Sequence, residues 1–158
     1  MGRIPITKSG FEKLKKDLET FKTVMLPENI KDLEIARAQG DLSENAEYTA
    51  AKERQSYIHG KIQEIENNLA LSDVIDVASM TTDRVVFGTV VNIEDISTGE
   101  TTRYQLVGPL ESNIGENKIS VTAPLGKALI GKKIGEEINV TTPGGTRKFE
   151  VVDIMIDN

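Results

Sequence analysis

The chain has 158 residues, of which 38% are hydrophobic, 28% charged and 4% aromatic, and its formal net charge is −6. That length suits one ordinary domain or two small ones, and the balance belongs to a folded chain rather than a disordered one. Cysteine is absent and His59 is the single histidine, which excludes disulfides, thiolate nucleophiles, cysteine zinc sites and two-histidine metal sites. The acidic balance argues against a groove that wraps duplex nucleic acid by charge alone. No apolar run approaches the roughly 20 residues of a membrane span. Met1 to Gly10 is polar and lacks a signal-peptide core, so no membrane partner and a cytoplasmic location are expected.

Composition changes sharply near residue 75. Four glycines and two valines precede that point, and nine glycines and ten valines follow it. Good helix formers dominate the first part, and β-branched residues punctuated by glycine dominate the second. Two domains are expected, a helical one over 1–75 and a mostly stranded one over 76–158.

In the first arm, Thr7 or Ser9 can cap a helix whose apolar residues Phe11, Leu14, Leu18, Phe21 and Met25 are spaced 3-4-3-4. Pro27 interrupts this period, and the seam is expected to resume in a shifted phase with Ile30, Leu33 and Arg37. A local bend or stutter is expected there rather than a helix end. In the second arm, Tyr48, Ala51, Gln55, Ile58, Ile62, Ile65 and Leu69 form a heptad seam with Gln55 as its one polar member. Gly40 to Asn45 separates the arms. So short a link makes the helices antiparallel, each arm about 30 residues and about 45 Å long.

The second half reads as short strands. Val85-Val86-Phe87 leads through Gly88 into Thr89–Ile93, and Arg103–Val107, Lys118–Val121, Glu137–Val140 and Lys148–Val152 follow. Turns fall at Ser97–Glu100 and Pro143-Gly144-Gly145, and a short helix or turn at Ala128–Gly131. The expected class is α+β, a coiled-coil hairpin followed by a small, mainly antiparallel sheet with one short helix.

No supported Ser/His/Asp set, phosphate loop or dinucleotide fingerprint is present, so the chain reads poorly as a free-standing enzyme. The unusual place is the link between the arms. Asp41, Glu44 and Glu47 fall at i, i+3 and i+6 around the start of the second helix. One reading is structural: Asp41 or Ser43 caps that helix and Glu44 completes a capping-box-like pair. The other is chemical. Carboxylates at the end of a long hairpin can enter a narrow opening and share a Mg²⁺ with another protein's ligands and a phosphodiester, since two carboxylates alone hold Mg²⁺ weakly.

The segment Gly40-Asp41-Leu42-Ser43-Glu44-Asn45-Ala46-Glu47-Tyr48 resembles the hairpin-tip motif of the Gre transcript cleavage factors. Ile4-Pro5-Ile6-Thr7, Val86-Phe87-Gly88 and Ala123–Gly131 match the same family, in order and spacing, over essentially the whole chain. The resemblance implies an antiparallel coiled coil joined to an FKBP-like domain. It implies a factor that enters the secondary channel of bacterial RNA polymerase and helps it cleave the extruded 3′ end of nascent RNA in backtracked complexes, completing a catalytic site rather than acting as an enzyme alone. By position, Asp41 and Glu44 are the acids that help bind Mg²⁺. Arg37 and Lys52, with Arg54 in a lesser role, guide the RNA by phosphate attraction. Tyr48 can stack on a base, although its heptad phase favours packing. Ser120 to Leu125 resembles the loop that grips the channel rim, so Ser120, Pro124, Leu125 and Gly126 are candidate docking residues. Ala123 stands where the family often has serine. Lys127, Lys132 and Lys133 read as surface charges.

Three other classes compete. An FKBP-type isomerase or chaperone needs an aromatic-lined pocket, and the second half offers only Phe87, Tyr104 and Phe149. An anti-cleavage channel inhibitor would carry further acids at the tip. A coiled-coil dimerisation module is disfavoured because both arms carry a seam and can satisfy each other within one chain, so a monomer is expected.

Overall fold

A computed structural model describes residues 3–41, 45–76 and 81–156. Its contacts divide the chain into two compact units. One is Phe11–Leu71, and the other joins the residues up to Gly10 to those from Ser72 onward. The division therefore differs from a single break at residue 75, because both ends of the helical region carry short strands. Strand β1 (Ile4–Thr7) pairs in parallel with β2 (Ser72–Ile75), Ile4 opposite Ser72 and Thr7 opposite Ile75. Four-residue strands at the edge of a long helical pattern leave little periodic signal.

The helical unit contains α1 (Lys8–Thr20), a π-helical segment (Phe21–Met25), α2 (Leu26–Arg37) and α3 (Ala46–Leu71). Thr7 caps α1, its Oγ1 accepting the Gly10 N–H at 3.1 Å. Partners across the hairpin run in opposite directions, Lys22 with Glu66, Asn29 with Ala51 and Ala36 with Asn45, so the two arms are antiparallel. The edge of Phe21 meets the Tyr57 ring at 6.3 Å and 81°. The second seam lies where expected, with Ala51, Ile58 and Ile65 buried and Tyr48, Gln55, Ile62 and Leu69 half-buried.

The interruption at Pro27 takes a specific form. The Leu26 N–H reaches back five residues to the Phe21 carbonyl, the hydrogen bond of a π turn. Proline has no N–H and its ring crowds the carbonyl four residues earlier, so a widened turn just before it relieves both problems while the helix continues. Such a turn accommodates one extra residue. Continuing the 3-4 spacing from Met25 would give Glu28, Asp32 and Ile35; the buried residues are Asn29, Leu33 and Ala36, each one later. Two parts of the expected seam are thereby corrected. Ile30 is 45% exposed, and Arg37 is exposed.

The second unit holds a five-stranded sheet in the order β5-β4-β3-β7-β6. Its strands are β3 (Thr89–Asp95), β4 (Thr101–Val107), β5 (Lys118–Ser120), β6 (Glu137–Thr142) and β7 (Gly145–Ile156). The neighbours are antiparallel except β4 and β5. A 3₁₀ turn at Ile114–Glu116 and a left-handed Asn117 (φ 56°) bring the chain back beside β4 in parallel. The hairpin at Pro143-Gly144 is as expected, with Thr142 opposite Gly145 (φ 118°). Val85-Val86-Phe87 is not a strand. Val85 is buried and trades hydrogen bonds with Gly131 and Lys132, after which the chain turns at Phe87-Gly88. The core packs Val91, Ile93, Leu106, Ile119, Val151 and Ile154 of the sheet with Leu129 of the helix α4 (Pro124–Leu129).

Candidate functional site

The link between α2 and α3 is built by two local devices. At the end of α2, Gly40 adopts φ 110°, a conformation that side chains oppose, and its N–H bonds the Arg37 carbonyl at 3.3 Å. At the start of α3 the cap is Asn45, a residue type favoured there. Its Oδ1 accepts the Tyr48 N–H at 3.1 Å, and its Nδ2 donates to the Ala36 carbonyl at 2.7 Å. One side chain thus satisfies an orphan donor of α3 and ties that helix to α2.

This bears on one part of the structural reading of the acids. The α3 cap expected from Asp41 belongs to Asn45. Asp41 lies between the helices and is exposed. Glu44, and the capping roles of Ser43 and Glu44, fall outside the described residues. Glu47 is exposed in the first turn of α3. The signal for Asn45 was available in the sequence: it directly precedes the helical period and stands three residues before Tyr48, the first seam residue.

The candidate cations take up separate places. The Arg37 guanidinium lies over the Tyr48 ring, 5.9 Å from its centre, so the half-buried Tyr48 is occupied by a cation on one face. Lys52 is exposed and donates to Gln55 at 3.2 Å. Arg54 joins Asp32, Ile35, Ala36, Glu47, Ala50 and Ala51 around a shallow groove of about 330 Å³ on the hairpin.

The Ser120–Gly126 segment divides by burial. Ser120 and Gly126 are buried, Leu125 and Ala123 half-buried, and Pro124 and Lys127 exposed. Ser120 Oγ bonds Thr122 Oγ1 at 2.6 Å and accepts the Thr122 N–H at 3.1 Å. A Cβ on Gly126 would sit 2.1 Å from the Ser120 carbonyl oxygen, so only glycine fits there. Ala123 occupies the N-cap position of α4 and offers no side-chain oxygen to it, with Pro124 next. Beside this segment is an apolar groove of about 460 Å³ lined by Pro5, Ile75, Val86, Phe87, Val121, Lys127 and Ile130.

Two polar clusters in this unit had no sequence signal, because their partners are far apart in the chain. Glu111 accepts the Thr7 N–H at 3.0 Å, the Gly108 N–H at 3.1 Å and the Thr7 hydroxyl, and holds β1 in place. Asp95 is buried, accepts from the Ser97 hydroxyl at 2.8 Å and the Ser97 N–H at 3.0 Å, and pairs with Arg147. The Ser97 hydroxyl, foremost, and Arg147 hold its carboxyl below the usual range against the opposing effect of burial.

Comparison with known proteins places this architecture. The family profile described as "Transcription elongation factor, N-terminal" matches residues 4–74, and the one described as "Transcription elongation factor, GreA/GreB, C-term" matches residues 80–156. The chain belongs to the GreA/GreB family of transcription elongation factors. A relative from Syntrophus aciditrophicus (strain SB), named Transcription elongation factor GreA, is 70% identical over 157 residues, covering 99% of this chain and 98% of its own. A protein of the same name from Anaeromyxobacter sp. (strain K) is 46% identical over 154 residues, covering 98% and 93%. Among solved structures, GreA factor homolog 1 (Gfh1) of Thermus thermophilus is 32% identical and covers 96% of this chain and 98% of that one, with a TM-score of 0.44.

Carboxylate oxygens are hard donors that suit Mg²⁺. Among the described residues no group of three or more His, Cys, Asp or Glu side chains gathers as a metal centre. Asp41, exposed between the helices, offers one such carboxylate.

Proposed function

We propose that this Gre-family chain is a cytoplasmic, monomeric elongation factor that inserts its hairpin tip into the secondary channel of bacterial RNA polymerase. There it stimulates cleavage of the extruded RNA 3′ end in backtracked complexes. The observation that supports this reading is the make-up of the tip: Asn45 caps α3, and Asp41 is exposed in the segment between the helices. Asp41 and Glu44 would hold a Mg²⁺ in common with the polymerase. When bound, such an ion lowers the pKa of a coordinated water and offsets charge on a transferring phosphoryl group.

The chain's own contribution is presentation. Gly40 ends α2 with a left-handed turn and Asn45 caps α3, on either side of the segment that carries the acids. Arg37, held against Tyr48, and Lys52 attract the phosphates of the RNA 3′ segment. In the second unit Pro124 and Leu125 provide contact with the channel rim, while the buried Ser120 and Gly126 hold the loop that presents them. On this reading the factor lends groups to the polymerase's own endonuclease activity rather than acting as an enzyme by itself.

The test is RNA cleavage by purified polymerase in stalled, backtracked complexes with Mg²⁺. Asp41→Asn and Glu44→Gln should each lower stimulated cleavage by orders of magnitude while competing for polymerase like the parent. Parental cleavage by both variants would refute the role of the tip acids.

A further inference from the structure

One residue of the hairpin seam is neither apolar nor satisfied. Asn29 is completely buried. Its Nδ2 donates to the Ala51 carbonyl on α3 at 2.9 Å, and its Oδ1 is the one buried side-chain oxygen or nitrogen among the described residues with no hydrogen-bond partner. A half-satisfied buried carboxamide is a poor choice for stability alone. The sequence also offers α2 a more apolar face. Leu26, Ile30 and Leu33 are spaced 4-3 and make a seam of three large aliphatic residues, whereas the seam in use is Asn29, Leu33 and Ala36 and leaves Ile30 45% exposed. The two faces share Leu33 and their centres lie about 60° apart around α2, at about 100° per residue of an α-helix. In the competing phase Arg37 falls on the seam and leaves the Tyr48 ring, and the turn carrying Asp41 is re-aimed.

We infer that Asn29 selects the phase of the hairpin: its hydrogen bond to Ala51 exists only in the observed rotation and holds α2 there against the greasier alternative. The π turn before Pro27 supplies the extra residue that brings Asn29, rather than Glu28, into the seam. Buried amides at seam positions specify register at a cost in stability, and here the register that matters is the one presenting the tip. Asn29 is thus a positioning residue for the proposed cleavage function, and its link to cleavage rests on that reading.

Because the chain lacks cysteine, a pair of introduced cysteines at Lys31 and Thr49 carries spin labels without background. The parent should give one narrow inter-label distance. Asn29→Ala should add a second distance and lower stimulated cleavage about tenfold or more, as misplacing reacting groups by about 1 Å does. The double variant Asn29→Ala/Ile30→Ser, which weakens the rival seam, should restore the single distance and most of the cleavage. A single unshifted distance in Asn29→Ala overturns the inference, as does a double variant that restores neither readout. Loss of folding in both variants overturns it too, since the amide is then a plain stabiliser. Unchanged cleavage beside a split distance overturns its link to the tip. The distance measurement needs no polymerase, so it stands apart from the fate of Asp41→Asn in the cleavage assay.

Discussion

Replacing Asn45 by alanine tests the capping role at the tip apart from the metal-binding one. The substitution removes the cap bond to the Tyr48 N–H and the tie to the Ala36 carbonyl. An Asn N-cap contributes about 1 kcal/mol, and a second, half-buried hydrogen bond about as much again. The expected loss is therefore about 2 kcal/mol. For a unit of the hairpin's size, where 1 kcal/mol moves Tm by about 4–8 °C, melting should fall by about 10 °C in far-ultraviolet circular dichroism. Asp41→Asn, measured beside it, should melt with the parent and lose cleavage, while Asn45→Ala should keep cleavage well below its own melting temperature. A parental melting curve for Asn45→Ala with a lowered one for Asp41→Asn would refute the assignment of the cap and return Asp41 to a structural role.

The second unit offers sharper steric and electrostatic tests. Gly126→Ala forces a Cβ to 2.1 Å from the Ser120 carbonyl oxygen, so it should lower stability by about 1–3 kcal/mol in denaturant titration and weaken competition for polymerase. Ala123→Ser puts a hydroxyl at the uncapped N-terminus of α4; stability should rise by about 0.5–1 kcal/mol in the same titration. For Asp95, whose folded pKa is lowered, the unfolded chain binds the proton more readily than the folded one. The stability it confers is present above the unfolded value of about 4 and is lost as pH falls through the lower folded value. Thermal melts of Asp95→Asn should accordingly depend less on pH between about 5 and 2 than those of the parent.

Much of this molecule was legible because its strongest signals are local. The α3 seam from Tyr48 to Leu69 repeats over three heptads, and the Pro-Gly-Gly turn between β6 and β7 declares itself in three residues. The stutter at Pro27 was legible as an event but not as a phase. An imino acid announces that one hydrogen bond is missing; it does not say whether the helix repairs the gap by bending or by adding a residue to a turn. Aliphatic side chains pointed to Ile30, and a polar one, Asn29, occupies the seam instead. The acids of the tip carried the same ambiguity, since carboxylates before a helix serve caps and metals alike.

Asn45 narrows that ambiguity at one point, since its side chain takes the Tyr48 N–H that a cap must satisfy. Glu111 and Asp95 were invisible for the opposite reason: each meets partners about 50 or more residues away, Thr7 for one and Arg147 for the other. Both anchor loops beside the sheet, where no periodicity marks them. The division follows from the physics of the two units. A two-helix seam is written in spacing and read from spacing. A small sheet domain tied by carboxylates to distant partners is written in tertiary pairs, and only the folded chain brings those pairs together.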